Sequence, residues 1–151
     1  MDTLSNLHPS GLSILLAEDN LVNQKVALRV LSHLGYHADI AANGLEVIKA
    51  IASKSYDLIF MDIQMPEMGG LETTKYIRNQ EIESQLAPIA IVAITANASY
   101  DDQDICRKAG MNDYISKPIQ IGELQTILQR YESLKNRKST WYIKYIGCFC
   151  G

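Results

Sequence analysis

Two adjacent acids, Glu18-Asp19, a third at Asp62, a hydroxyl at Thr95 and an ammonium at Lys117 are the side chains here with types suited to joint chemistry. Asp62 interrupts the apolar run Leu58-Ile59-Phe60-Met61, and Pro66 and Gly69-Gly70 close the segment with turn residues. A lone carboxylate at the tip of a buried segment is costly to desolvate, so Asp62 needs a partner. Three acids drawn together repel: at about 4 Å and a surface-like effective dielectric, each pair costs on the order of 4 kcal/mol as an upper figure. A hard divalent cation removes that cost. An incomplete oxygen set that leaves waters in place suits Mg²⁺, with Mn²⁺ as the alternative, better than a closed Ca²⁺ cage. Asp62 would then remain a nucleophile for phosphoryl transfer, where positioning and charge neutralisation supply most of the catalysis. Lys117 would neutralise one phosphoryl oxygen as a point charge, and the Thr95 hydroxyl would donate to another. The sequence carries no glycine-rich phosphate loop ending in Gly-Lys-Ser or Gly-Lys-Thr.

For these residues to meet, each must stand at the end of an element. Short apolar runs alternate with amphipathic stretches along the chain. Strands are predicted at Ser13–Ala17, His37–Ala41, Leu58–Met61, Ile89–Thr95 and Asp113–Ser116. Helices are predicted at Leu21–Leu34, Leu45–Ala52, Gly70–Asn79, Tyr100–Ala109 and Ile121–Tyr131. The first helix carries Val22, Val26, Val30, Leu31 and Leu34 on one stripe, and Gly35 ends it; the second carries Leu45, Ile48 and Ile51. In the last, Ile121, Leu124, Ile127, Leu128 and Tyr131 make the buried stripe. Strands alternating with helices of this length imply βαβ crossovers and a parallel sheet covered on both faces. In such a sheet ligands bind at the carboxyl ends of the strands, where all five chemical residues fall.

Composition narrows the partners. At 151 residues the chain is about one domain long, without an internal repeat or a linker long enough to split it. A net charge of -3 gives no reason to expect nucleic acid or an anionic membrane. No apolar stretch approaches a membrane span, and residues 1–11 lack the basic and apolar regions of a secretory signal. Three cysteines, Cys106, Cys148 and Cys150, do not suggest a disulfide framework, so a reducing cytoplasm is the expected compartment.

The segments "ILLAEDN", "DLIFMDIQMPEMGG", "IVAITA" and "DYISKPI" occur in an order and at separations that resemble a response-regulator receiver domain, from Leu12 to about Tyr131. The resemblance implies a flavodoxin-like (βα)5 fold with strand order 2-1-3-4-5, an order not read from the residues. It implies that Asp62 accepts a phosphoryl group from a phosphohistidine on a histidine kinase or a histidine phosphotransfer domain. It further implies that Asp19, Asp62 and the backbone carbonyl of Gln64 bind Mg²⁺, with Glu18 acting through water, and that Thr95 and Lys117 hold the phosphoryl oxygens. The Lys117–Pro118 bond is expected to be cis. Tyr114 stands where receivers carry an aromatic switch that turns inward with Thr95 and alters the face of the fourth helix, fifth strand and fifth helix. That face would serve a weak homodimer if the domain is not monomeric. Donor docking would use Asn20, Val22, Asn23 and Val26 with the loop at Pro118-Ile119. The texture of the first helix and of "MDIQMPEMGG" is most like receivers of hybrid histidine kinases, which can be membrane-anchored; a stand-alone regulator is the alternative. Kinase activity would belong to other domains, and the receiver itself would catalyse only phosphotransfer to Asp62 and slow self-dephosphorylation.

Two other functions are weighed against this one. A haloacid-dehalogenase-type phosphatase also uses an aspartyl nucleophile, but it wants an acid two residues later, where Gln64 stands. A pseudo-receiver would lack Asp19, Asp62 or Lys117, and all are present. His8, His33 and His37 read as ordinary surface residues, His33 in a last helical turn where a cation suits the dipole. Cys148 and Cys150 cannot close a zinc site alone. The tail 132–151 combines a basic patch, Lys135–Lys138, with the strand-like "TWYIKYI", to which no role is assigned.

Overall fold

Leu58–Asp62 is buried at every position, as a strand covered on both faces must be. It is β3 of a computed structural model that describes residues 11–96 and 99–136. Before it come β1 (Ile14–Ala17), α1 (Leu21–His33), β2 (Ala38–Ala41) and α2 (Gly44–Ser53). After it come α3 (Gly70–Ser84), β4 (Ala90–Thr95), α4 (Tyr100–Ala109), β5 (Asp113–Ser116) and α5 (Ile121–Asn136). Among the described residues the strands form one parallel sheet in the order β2-β1-β3-β4-β5. The order reverses between β1 and β3, and the crevice beyond their carboxyl ends is where such a sheet binds ligands.

Register decides which residues meet there. Ala17 lies opposite Met61, so Glu18 and Asp62 leave the sheet side by side. Asp62 lies opposite Ile94, and Thr95 opposite Ser116, which brings Thr95 and Lys117 to the same rim.

Alternate strand residues point to opposite faces. On one face Leu16, Phe60 and Ile94 pack with Leu31 of α1 and Leu128 of α5. On the other, Leu15, Ile59 and Ile91 pack with Val47 of α2, Ile77 of α3 and Cys106 of α4. Gly35 and Gly110 follow α1 and α4 with φ of +93° and +110°, the left-handed conformation that glycine adopts without a Cβ penalty.

Several helical faces differ from the periodicity reading. Val22 (67% exposed) and Val26 lie on the outside of α1, whose buried residues are Ala27 and Leu31. Leu45 is exposed in α2, where Gly44 and Val47 are buried instead, and Ile121 is exposed in α5. Val22, Leu45 and Ile121 sit in the first turns of their helices, and Val26 lies one turn further along α1 on the same exposed side. α3 runs on past Asn79 to Ser84, an extension without an apolar stripe to mark it because its inward face is largely polar: Thr73, Thr74, Ile77 and Glu81. Arg78 makes that burial tolerable. Its Nη1 lies 2.8 Å from Glu81 Oε1, while Nε donates to Gly110 O and Nη2 to Asn112 Oδ1. α5 likewise continues past Tyr131 to Asn136. His8, most of the tail, and Cys148 and Cys150 lie outside the described residues.

Candidate functional site

Glu18, Asp19 and Asp62 each offer a carboxylate oxygen within 4.8 Å of the others. Asp62 is 3% exposed and Glu18 is also buried, whereas Asp19 faces solvent. Lys117 reaches across from the end of β5, its Nζ 3.0 Å from Asp62 Oδ2 and 3.4 Å from Glu18 Oε1. The second oxygen of Asp62 accepts the Gln64 N–H at 3.1 Å, and the second oxygen of Glu18 accepts the Asn20 N–H at 3.1 Å. Each buried acid is thus held by one backbone amide and shares one ammonium. Thr95 is buried at the end of β4, and its carbonyl accepts the Lys117 N–H at 2.8 Å. The Lys117–Pro118 peptide is cis.

The electrostatics leave negative charge in excess. Burial raises the Glu18 carboxyl above its usual range; Asp62 adds to this, while the Asn20 amide and Lys117 oppose it. Burial by itself would depress the Lys117 ammonium, but the hydrogen bond and charge of Asp62, with Glu18 behind it, outweigh that and hold it above the ordinary lysine value. Two buried acids and one exposed acid around one lysine make an oxygen-rich site suited to a hard divalent cation.

Close backbone packing sets the loop that carries Gln64. Gly70 opens α3 directly beneath Asp62: a Cβ there would come within 2.4 Å of Asp62 O. Its N–H bonds Ile63 O at 2.9 Å. Gly44, at the start of α2, donates to Met68 O at 3.0 Å and leaves room for Thr73, whose hydroxyl a Cβ would meet at 2.0 Å. The loop also holds Glu67 in a left-handed conformation, φ +69°.

The outlying sequence-predicted residues spread over two surfaces. Val22 and Val26 form an exposed apolar strip with Leu21 on α1, on the rim side of the site, and Pro118 is exposed beside the half-buried Ile119. Asn20 caps α1, its Oδ1 accepting the Asn23 N–H at 2.9 Å. Tyr114, 37% exposed, lies against α4 and lines a cleft of about 130 Å³ with Gln103, Cys106 and Arg107. Sequence reasoning missed Gln24, whose Nε2 donates to the Glu18 carbonyl at 2.6 Å. It also missed the roles of Gly44 and Gly70 as close-approach positions; the Gly-Gly pair was legible only as a turn.

Comparison with known proteins identifies the family and the fold. Residues 14–129 match the family model described as response regulator receiver domain. The chain is 44% identical over 119 residues to hybrid signal transduction histidine kinase B of Dictyostelium discoideum, covering 74% of this chain and 6% of that protein. It is 46% identical over 136 residues to histidine protein kinase 1 of Candida albicans, covering 84% of this chain and 5% of that protein. The chain therefore spans only a small part of the relatives it matches. A receiver domain of a Pseudomonas aeruginosa sensor histidine kinase, solved with magnesium in its active-site cleft, superposes with a TM-score of 0.71 at 42% identity, covering 82% of this chain and 98% of that one. A Saccharomyces cerevisiae response-regulator receiver, co-crystallised with a histidine phosphotransfer signalling protein, superposes with a TM-score of 0.78 at 30% identity, covering 82% and 90%.

Proposed function

The chain belongs to the response regulator receiver domain family, and from that premise we propose that it accepts a phosphoryl group from a phosphohistidine onto Asp62. The observation that carries this reading is the buried Asp62 carboxylate, with Lys117 Nζ at 3.0 Å and the oxygens of Glu18 and Asp19 within 4.8 Å. A carboxylate oxygen of Asp62 attacks phosphorus, the P–N bond to the donor imidazole breaks, and the electron pair returns to the imidazole nitrogen. Lys117 and the Thr95 hydroxyl hold phosphoryl oxygens, and the Gln64 N–H orients the nucleophile.

The acid set fits Mg²⁺, with Mn²⁺ as a substitute: Asp19, Asp62 and the Gln64 carbonyl would hold it, and Glu18 would act through water. When bound, the ion neutralises the clustered carboxylates and the charge of the incoming group.

The partner we propose is a histidine phosphotransfer domain or a histidine kinase, docking on the exposed Leu21, Val22 and Val26 of α1, beside Asn20, Asn23, Pro118 and Ile119. The parent we propose is a hybrid histidine kinase, on the strength of the named relatives. A weak homodimer would use the α4–β5–α5 face, where Tyr100, Ile105, Tyr114 and Ile121 are exposed. Tyr114 is the switch residue on that face. Among the described residues no helix is long and apolar enough to cross a membrane, and the setting we propose for the domain is the cytoplasm.

Intact mass after incubation with acetyl phosphate and Mg²⁺ tests the acceptor. One added phosphoryl group is expected, absent in Asp62→Asn and absent without Mg²⁺. A purified histidine phosphotransfer domain as donor then tests the partner. No transfer from either source would sink the reading.

A further inference from the structure

The planar peptide that joins Glu18 to Asp19 is pinned from outside the loop. Its carbonyl accepts Gln24 Nε2 at 2.6 Å, from the second turn of α1. One bond earlier, the Glu18 N–H donates to Ala41 O on β2 at 2.9 Å. Because a peptide unit is planar, holding that carbonyl fixes ψ of Glu18 and φ of Asp19 together. Those two dihedrals set the directions in which two adjacent acids leave the backbone. The Glu18 carboxylate is separately anchored by Asn20 N–H and Lys117, whereas Asp19 is solvent-facing, so its direction depends most on the backbone. α1 itself is fixed at this point by its cap, Asn20 Oδ1 to Asn23 N–H, and by Gln24 N–H to Asn20 O at 2.9 Å. The half-buried Gln24 therefore projects from the anchored start of α1 onto the strand end.

We propose that Gln24 is a positioning residue for the divalent-cation site, orienting the Glu18–Asp19 pair through the carbonyl between them. The inference rests on the reading of Glu18, Asp19 and Asp62 as the metal set. Partners that orient metal ligands without touching the metal typically change affinity by about tenfold or more when removed.

The test is the initial rate of phosphorylation by acetyl phosphate as a function of Mg²⁺, with thermal midpoints in parallel, for the whole chain and two variants. Gln24→Met keeps the stem and removes the donor. Gln24→Glu keeps the shape, removes the donor and adds a negative charge, which by charge alone would tighten cation binding. Both variants are expected to raise the half-saturating Mg²⁺ concentration about tenfold, with the rate at saturating Mg²⁺ within about twofold of wild type. Unchanged half-saturation in both, or a Glu variant that binds as tightly as wild type, would overturn the role. A saturating rate that falls in step with the thermal midpoint would also overturn it, by assigning Gln24 to folding alone. If the wild-type chain itself shows no Mg²⁺-dependent labelling, it is the phosphoacceptor reading that fails, a result distinct from any of these.

Discussion

Lys117 spans the width of β4 to reach Asp62: it leaves the sheet from β5, yet its Nζ lies 3.0 Å from Asp62 Oδ2 on β3. The same ammonium is 3.4 Å from Glu18 Oε1, so one cation compensates two buried acids. Lys117→Met leaves both with only their backbone donors. Without a divalent cation the variant is expected to melt below wild type, since an uncompensated buried charge is expensive. Added Mg²⁺ should then raise its melting temperature by more than it raises that of wild type, because binding to the folded state stabilises by mass action. The phosphorylation rate at saturating Mg²⁺ should fall about a hundredfold or more, as when a preorganised charge donor is removed. Equal Mg²⁺-induced shifts in the two proteins would contradict the shared-cation account.

Gly70→Ala should damage the site from below. The new Cβ would sit 2.4 Å from Asp62 O and 2.9 Å from Ile63 Cα, both backbone atoms that cannot swing aside. Overpacking of this kind costs about 1–3 kcal/mol, and the displaced Asp62 should lose rate by up to about a hundredfold. Gly122 in α5 is the control: nothing lies within 4 Å of its Cβ position. Gly122→Ala should stabilise by about 0.5–1 kcal/mol with phosphorylation unchanged. Urea unfolding and labelling rates of the two variants check the contrast; a benign Gly70→Ala would mean the loop is softer than its packing implies.

Which parts of this site were legible in the sequence follows from what sequence patterns encode. Strand ends were legible because an acid breaking an apolar run, as Asp62 does after Met61, marks where burial stops. The sheet alternation and the helix stops at Gly35 and Gly110 were legible for similar local reasons. The outward faces of Val22, Val26, Leu45 and Ile121 were not, because periodicity identifies an apolar stripe without saying how much of it the fold covers. The extension of α3 past Asn79 was hidden because Glu81 is a buried acid, made tolerable by Arg78, three residues earlier on the same helix. Gln24 was invisible for the same kind of reason: a side-chain amide on a distant carbonyl leaves no trace in composition or spacing.

The Arg78–Glu81 pair should behave as one unit. Their side chains are 18% and 8% exposed, and Glu81 Oε2 also accepts the Ile89 N–H at 2.8 Å. Arg78→Met strands a buried carboxylate and should cost about 3 kcal/mol. Arg78→Met with Glu81→Gln keeps an acceptor for Ile89 without the charge, and should cost clearly less than Arg78→Met alone. A double-mutant cycle by urea unfolding measures this; additive losses would show the two residues to be uncoupled.

On the β2 edge, Asp39 Oδ2 accepts Tyr56 OH at 2.6 Å and lies 2.9 Å from Lys54 Nζ. The Tyr56 hydrogen bond, then that of Lys54, lowers the Asp39 carboxyl below its usual value. Burial, then the Asp39 hydrogen bond, pushes the Tyr56 phenol up to about 12. A depressed carboxyl contributes stability that is present above its unfolded value, about 3.9, and lost as pH falls through the folded one. A raised phenol contributes stability that is present below about 10 and lost as pH rises toward its folded value. Asp39 is half exposed, so the effect at neutral pH should be under about 1 kcal/mol. The stability gap between wild type and Asp39→Asn in urea unfolding is expected to be open at pH 7 and to narrow as pH falls below about 3.9; a gap that does not change with pH would rule the pair out as its source.

The last turn of α5 ties the two ends of the described fold together. Lys135 Nζ lies 2.8 Å from Asp57 Oδ2 and also donates to Gly11 O, while Asp57 Oδ2 accepts the Ser13 N–H at 2.8 Å. Three residues earlier, Glu132 accepts the Tyr36 hydroxyl. Burial, then this contact, raises the Tyr36 phenol. Both interactions lie beyond Tyr131, where the apolar stripe of the helix ends, so a boundary drawn at that stripe removes them. A chain ending at Tyr131 should therefore be less stable than one ending at Asn136 by about 1–3 kcal/mol, two partly exposed contacts at about 0.5–1.5 kcal/mol each. Hydrogen exchange should report the loss at residues 11–14, at the entry to β1, before it reaches β3, because Lys135 holds that entry directly. Lys135→Met in the longer chain should reproduce the faster exchange at residues 11–14 while leaving Tyr36–Glu132 intact. Equal stability and equal exchange in the two truncations would place the functional end of the fold at Tyr131 and make the last turn of α5 an ornament.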